Sequence, residues 1–347
     1  MNDNPVLSSL RIKKLFGKHD LSIDFKKLTV IVGKNGVGKT TLLKIIHALI
    51  TERDEPNYRD ICESIALNFN DGNAICYGII SDELIKSPTY FELPDSLTVN
   101  DKVSLRDMVS TIKQLENATE DDKIEVAKNI LAKILKTDVF INASSKVYMD
   151  KFKKNQDQVF KNSWHTTKIK NETNIRYIST VNISANAGNK MDLGNSIERN
   201  ILDLAIHEEL RLLLKNGSDG VVAAFKTQLD IFLQESGKKI KRDHGEWKFI
   251  TDTGHSLRLE QLSSGERQLV YILATAANTC GKPTLFLMDE PEVSLHLSWQ
   301  EKIIDAIMNI HPQIQIIAVT HSPGIIMNGH MDAYVEMKDI MQVSGNV

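Results

Sequence analysis

Several protein classes leave marks that this sequence does not carry. It has three cysteines in 347 residues, Cys62, Cys76 and Cys280, scattered and without C-x-x-C spacing. That argues against a disulfide framework or a zinc knuckle and points to a reducing compartment. No stretch approaches the roughly 18 uninterrupted apolar residues of a transmembrane helix, so no membrane partner is expected. The opening Met1-Asn-Asp-Asn-Pro5 lacks a basic segment followed by an apolar core, so a signal peptide is not expected and a cytoplasmic location is. The formal net charge is only −3, which removes a global field drawing in nucleic acid. No internal repeat, sustained heptad pattern or low-complexity linker is visible, which argues against a solenoid, a long coiled coil or a tethered tail. What is left is an ordinary globular balance, 41% hydrophobic and 25% charged, in a chain long enough for more than one domain.

Within that plain background one stretch stands out: Leu28-Thr-Val-Ile-Val-Gly-Lys-Asn-Gly-Val-Gly-Lys-Thr-Thr41. An apolar run enters a glycine-rich turn, and Leu42, Leu43, Ile45 and Ile46 then recur at helical spacing. Strand, loop and helix with the pattern G-x-x-x-x-G-K-T form a phosphate cradle. Gly33, Gly36 and Gly38 let the backbone curl so that N–H groups point inward. The helix adds the positive end of its dipole. Lys39 supplies a point charge for the terminal phosphates, and the Thr40 hydroxyl is placed to ligate Mg²⁺.

The rest of the chain reads as follows. Residues 8–32 alternate as strands, with a turn at Gly17–Asp20. Ser64 to Ile80 reads as a hairpin around Asn70-Asp71-Gly72-Asn73. Residues 101–137 carry two helical apolar stripes, a helical hairpin. The segment 146–170 places Lys146, Lys151, Lys153, Lys154, Lys161, Lys168 and Lys170 among Tyr148, Phe152, Phe160 and Trp164. It reads as a solvated amphipathic helix whose aromatics face the core, with a basic surface for DNA or an acidic partner as the competing reading. Ile175–Ile183 is a candidate buried strand, Ser196–Lys215 and Gly220–Glu235 are helices, and Lys238–Leu259 reads as strands.

Three later stretches define the chemistry. Thr284-Leu-Phe-Leu-Met-Asp-Glu-Pro-Glu292 is a buried strand ending in paired carboxylates. Asp289 is suited to hold Mg²⁺ and Glu290 to take a proton from attacking water. Leu262-Ser-Ser-Gly-Glu-Arg-Gln268 opens a helix. Ser263 and Glu266 form a capping box there, and the oriented donors make an anion-binding end. Because the P-loop already encloses the phosphates, this end is better matched to nucleotide on a second copy. In Ile316-Ile-Ala-Val-Thr-His-Ser-Pro323, His321 follows a strand and can reach a γ-phosphate.

The order of these motifs resembles the ABC ATPase superfamily, and within it the RecF/SMC/OLD-like branch found among anti-phage defence ATPases. Asn35 in the P-loop and the run Asp289-Glu-Pro-Glu-Val-Ser-Leu-His296, with Gln300 soon after, carry that choice. The chain departs from the pattern in places. Ser264 and Glu266 stand where the transporter signature has glycine and glutamine, and His296 where the D-loop has aspartate. No Q-loop glutamine is evident, residues 176–182 being the candidate place, and Phe16 reads as a core residue, with an adenine contact as the competing reading. The span from Lys39 to Ser263 exceeds a transporter's compact helical subdomain and is far short of an SMC arm.

The resemblance implies an α/β P-loop ATPase head with a mixed sheet, split into 1–80 and 172–347 by a helical insertion at 81–171. It implies ATP and Mg²⁺ bound by Gly33, Asn35, Gly36, Val37, Gly38, Lys39, Thr40, Thr41 and Asp289. Ser263, Ser264, Gly265 and Glu266 of a second copy would close over the nucleotide, with Glu290, His321 and Lys39 catalytic. It also implies a homodimer or higher oligomer that controls a separate nuclease or toxin effector. Residues 322–347 fall below the roughly 50 residues of a small domain, so a nuclease domain is not expected there. Two other classes remain: the nucleotide-binding subunit of a membrane transporter, and a scaffold that binds ATP without hydrolysing it.

Overall fold

The computed structural model describes residues 6–53, 58–71, 74–80, 147–151, 158–162, 169–179, 190–192 and 198–344. In chain order the elements are β1 Leu7–Leu15, β2 His19–Asp24, β3 Leu28–Val32, α1 Lys39–Thr51, α2 Tyr58–Ile61, β4 Ser64–Phe69 and β5 Ala74–Ile80. There follow β6 Val147–Lys151, β7 Gln158–Asn162, β8 Asn174–Ser179, β9 Lys190–Asp192 and β10 Glu198–Asn200. Then come α3 Ile201–Asn216, α4 Asp219–Leu233, β11 Lys238–Asp243, β12 Glu246–Thr251, β13 Ser256–Leu257 and α5 Ser264–Asn278. The chain closes with β14 Thr284–Asp289, α6 Leu297–Ile310, β15 Ile314–Thr320, β16 Tyr334–Glu336 and β17 Met341–Val343.

The chain divides into two compact units. The first takes Met1–Phe25, Lys44–Thr173 and Lys338–Val347. Its described strands form an antiparallel sheet in the order β17-β2-β1-β4-β5-β7-β6. Alternation drives it: in β1, Leu10 and Ile12 are buried at 0% and 1% exposure while Arg11 between them reaches Asp24 on β2 at 2.6 Å. The expected hairpin is present, β4 pairing antiparallel with β5. The helix expected over 146–170 is not. Val147–Lys151 and Gln158–Asn162 are strands that pair with one another. Residues 101–137, where the helical hairpin was expected, lie outside the described residues. Phe16 is not a core residue either: it sits in the turn after β1 at 44% exposure, with φ of 53°.

The second unit takes Lys26–Leu43 and Asn174–Met337. Its main sheet runs β16-β3-β15-β14-β8 with every pair parallel, so the mixed character of the β-structure is divided between separate sheets. Parallel strands buried on both faces read as continuous apolar runs. Every residue of β14 and β15 is buried. On one face Val30, Phe286, Met288, Ile316 and Ala318 join a single core with Phe225, Phe232, Leu269 and Leu273 of the helices. Helix α5 packs against α3, α4 and α6. The α3 helix begins later than the pattern suggested. Asn200 takes the N-cap and accepts from the Leu202 amide at 2.8 Å, and the three residues before α3 pair as a strand with β9. The antiparallel β11-β12-β13 sheet follows α4, whose exit is turned by Gly237 at φ 64°.

Phe286 is fully buried in this core. Phe286→Ala is expected to cost about 3–5 kcal/mol in denaturant unfolding of the intact chain, whereas Phe16→Ala stays within about 0.5 kcal/mol.

Candidate functional site

The parallel register decides where the motif residues meet. Val32 at the end of β3 lies beside Thr320, and Asp289 at the end of β14 lies between Val319 of β15 and Ser179 of β8. Three loops therefore leave the same sheet edge: the P-loop, the Asp289–Leu295 loop, and the turn holding His321. Ligand sites in parallel α/β sheets form outside the carboxyl ends of the strands.

The P-loop takes the curl its glycines allow, with Gly36 at φ 80° and Gly38 at φ 98°. Lys34, Asn35 and Gly36 are exposed, while Gly33, Val37, Gly38, Thr40 and Thr41 are half-buried. Lys39 opens α1 and is only 5% exposed. Its ammonium donates to the Gly33 carbonyl at 2.7 Å and the Lys34 carbonyl at 3.0 Å, and lies 2.9 Å from His321 Nε2. Burial pulls this ammonium below the ordinary lysine range, and the carboxylates of Glu290, Asp289 and Glu292 pull back the other way. The positive charge is thus held in a partly dry place among acids, where its field on an anion would be stronger than in water.

Thr40 Oγ1 donates to Asp289 Oδ1 at 2.9 Å, and the Tyr177 hydroxyl donates to Asp289 Oδ2 at 3.0 Å. Burial first, and then the Asp289 carboxylate, raise the Tyr177 phenol well above its ordinary value, so it stays a donor. A hydroxyl and a carboxylate at bonding distance are hard oxygen donors that suit Mg²⁺, which is usually held by one or two carboxylates together with substrate phosphates. Among the described residues no group of three or more His, Cys, Asp or Glu side chains could hold a metal ion by itself.

Glu290 stands at φ 51°, a left-handed conformation uncommon for a residue with a Cβ. Its amide donates to the Val319 carbonyl at 2.9 Å, and Pro291 follows it. Strained backbone of this kind clusters at active sites. The turn aims the carboxylate at His321, whose Nε2 is 3.1 Å from Glu290 Oε1. Nε2 can donate to Glu290 or accept from Lys39, but a single ring nitrogen cannot do both. His321, Glu290 and Lys39 therefore share one polar contact point.

The opening of α5 is a separate piece of the machinery. Ser263 is the N-cap, its Oγ accepting from the Glu266 amide at 3.2 Å; Ser263 is exposed and Ser264 half-buried. Gly265 is packed so closely that a Cβ there would clash with the Ser294 carbonyl oxygen. Gln268 donates to the Pro291 carbonyl at 2.9 Å. This helix end is thereby fixed to the loop that carries Glu290. Glu266, grouped with the phosphate-facing residues from its motif, points the other way. Its carboxylate accepts from Ser236 Oγ at 2.6 Å, Lys238 Nζ at 2.8 Å and the Ser263 amide at 2.7 Å, and the residue is 1% exposed. A carboxylate so occupied caps the helix and does not face a ligand. His296, in the D-loop position, is the exposed N-cap of α6, 3.1 Å from Ser298 Oγ. Residues 180–182, part of the candidate Q-loop place, lie outside the described residues.

Local pattern reading missed Tyr177, Glu292 and Gln268. Glu292 lay inside the quoted motif without a role. Tyr177 lay on a recognised strand, and only the parallel pairing of β8 with β14 shows that its hydroxyl meets Asp289.

Together the fold and this edge define a P-loop nucleotide-binding protein. Over residues 28–328 the chain matches the family described as "AAA domain, putative AbiEii toxin, Type IV TA system", and it belongs to that family. Among curated proteins it is similar to "Retron Vc95 probable ATPase" of Vibrio cholerae serotype O1 biovar El Tor, 23% identical across 92% of this chain and 70% of that one. It is also similar to "Septu protein PtuA" of Bacillus thuringiensis, 25% identical across 92% of this chain and 73% of that one. Among solved structures, the SMC head domain from Thermotoga maritima aligns over 93% of this chain and 91% of that one, at 13% identity and a TM-score of 0.48. Among the described residues no helix is long and apolar enough to cross a membrane.

Burial alone would raise the Glu266 carboxyl, but Lys238, Ser236 and the Ser263 amide outweigh it and hold the group below its ordinary 4.5. Its stabilising contribution is therefore present above pH 4.5 and lost as pH falls through the lower folded value. Glu266→Ala is expected to cost about 3 kcal/mol at neutral pH. The gap from wild type should narrow in thermal unfolding scans taken down to acid pH.

Proposed function

We propose that this chain binds and hydrolyses ATP with Mg²⁺, that complete sites form between two copies, and that the nucleotide state controls a separate effector protein in prokaryotic anti-phage defence. The observation that carries the reading is the meeting of Lys39, Thr40, Asp289, Glu290 and His321 at one sheet edge, each within hydrogen-bond reach of another member of the set. The names of the retron and Septu relatives support the defence setting.

The chemistry asked of the residues is positional and electrostatic. The P-loop amides and the Lys39 ammonium, moving off the Gly33 and Lys34 carbonyls, hold the triphosphate. Mg²⁺, when held by Thr40 and Asp289, supplies charge neutralisation for the phosphates. Glu290 takes a proton from water as its oxygen bonds to the γ-phosphorus, and the bond to the bridging oxygen breaks to leave ADP. His321, in reach of both Lys39 and Glu290, steadies the phosphoryl group. Ser263 and Ser264 of a second copy offer a positive helix end to the same phosphate.

Glu290→Gln is expected to keep ATP affinity and lower steady-state phosphate release by about 10²–10⁴-fold; unchanged turnover would remove Glu290 from this role. A complementation assay addresses the sharing of sites. Lys39→Ala and Ser263→Arg are each expected to be inactive, and a mixture to recover part of the activity, because a mixed dimer assembles one intact site. If mixed dimers form and stay inactive, the sites are not shared.

A further inference from the structure

We propose that Glu292 is a positioning residue for hydrolysis, fixing the turn that carries His321 relative to the loop that carries Glu290. The inference rests on the hydrolytic reading of those two residues and adds a third to it. Glu292 Oε1 accepts from the Thr320 hydroxyl at 2.5 Å, the His321 amide at 3.0 Å and the Ser322 amide at 3.3 Å. One oxygen thus meets three donors of the turn by which the chain leaves β15, a turn that Thr320 Oγ1 also braces by accepting from the Ser322 amide at 2.8 Å. The residue is 9% exposed, and its other oxygen, Oε2, is buried without a hydrogen-bond partner.

That half-used carboxylate is a poor choice for stability. A buried acid is tolerated when its oxygens are bonded, and an orphan oxygen counts against it. An apolar residue would fill the space without that penalty. What an apolar residue cannot do is hold two successive amides and a hydroxyl in a fixed fan. The neighbouring contacts work in the same direction. Ser322 Oγ donates to Gln300 Oε1 at 2.7 Å, and Gln300 Nε2 donates to the Leu295 carbonyl at 3.0 Å. The Glu290 amide is itself bound to the Val319 carbonyl. The general base and His321 are therefore held by two brackets, one at Val319 and one through Glu292. Glu292 lies on the same loop as Glu290, so a shift of either loop moves the other. Glu292 touches no reacting atom; it acts mainly through the backbone of His321, its charge being the smallest of the three carboxylate influences on Lys39.

Three variants of the full chain test this: Glu292→Ala, Glu292→Asp and Glu292→Gln, with Glu290→Gln alongside. Removing the anchor is expected to lower kcat by about 10²-fold, the cost of an ångström-scale misplacement. KM for ATP should change little, because Lys39 and Thr40 are held by the P-loop. Glu292→Gln keeps an acceptor oxygen and should recover most of kcat. Amide hydrogen exchange gives a readout independent of turnover. The His321 amide should exchange faster in Glu292→Ala, while the Ser322 amide, which also donates to Thr320 Oγ1 at 2.8 Å, and those of β15 stay protected. If Glu292→Ala does not fold, Glu292→Asp, which withdraws the carboxylate by one methylene, carries the same measurements. If Glu290→Gln abolishes hydrolysis and loss of the Glu292 anchor leaves kcat unchanged, the positioning role is wrong and the hydrolytic reading stands. If Glu290→Gln changes nothing, the hydrolytic reading fails. In that case unchanged exchange at the His321 amide overturns the anchoring as well.

Discussion

The site depends first on the parallel register of β3, β15, β14 and β8. A parallel sheet brings all strands out at one edge, and the side chains alternate with a period of two. A slip of one residue would turn Asp289 away from Thr40 and put Phe286 and Met288 on the opposite face. Here the apolar pattern opposes such a slip, because these two side chains belong to the same core as the α5 residues Leu269 and Leu273. The burial that stabilises the fold is therefore also what sets the distances between the polar groups of the candidate site. Asp289 is the last residue of a strand buried along its whole length, and it is that packing which delivers a carboxylate to the Thr40 hydroxyl.

Electrostatics builds on that frame. Three acids, Asp289, Glu290 and Glu292, and two nitrogen bases, Lys39 and His321, occupy one edge at hydrogen-bond distances. The Lys39 ammonium and the neighbouring carboxylates offset each other across this edge, and triphosphate with its cation would enter an arrangement already organised for charge. The α5 end is tied to this edge by the Gly265 approach to Ser294 and by the Gln268 contact with Pro291. A load placed on Ser263 and Ser264 thus bears on the loop that holds Glu290. Under the proposed function, this would be the route by which docking of a second copy bears on hydrolysis.

Much of this was legible because the P-loop pattern demands a strand before it and a helix after it, and both are written in the residues. The strands at 284–289 and 314–320 were legible for a related reason: continuous apolar runs that end at charged motifs suit only buried parallel strands. The segment at 146–170 was misread because its strands span five residues each, too few for the period of two to separate from that of 3.6. The start of α3 was displaced because Ser196 and Asn200 are equally good caps by type, and only the pairing with β9 selects Asn200. Tyr177 and Glu292 act across strands and loops distant in sequence, and nothing local to either residue encodes such a contact. Glu266 was misplaced by its motif. Ser263 of the same motif is exposed, while the Glu266 carboxylate is claimed by Lys238 and Ser236 from outside the helix.

The central claim is that this sheet edge is built around the transition state for water attack on a γ-phosphate. Complementarity of that kind is tighter for the transition state than for bound substrate or product. The direct measurement is retention of labelled ADP through gel filtration, with and without aluminium fluoride, in the presence and absence of Mg²⁺. The account predicts ADP held in stoichiometric amount only when aluminium fluoride and Mg²⁺ are both present. ADP retained equally in all conditions, or in none, would contradict it.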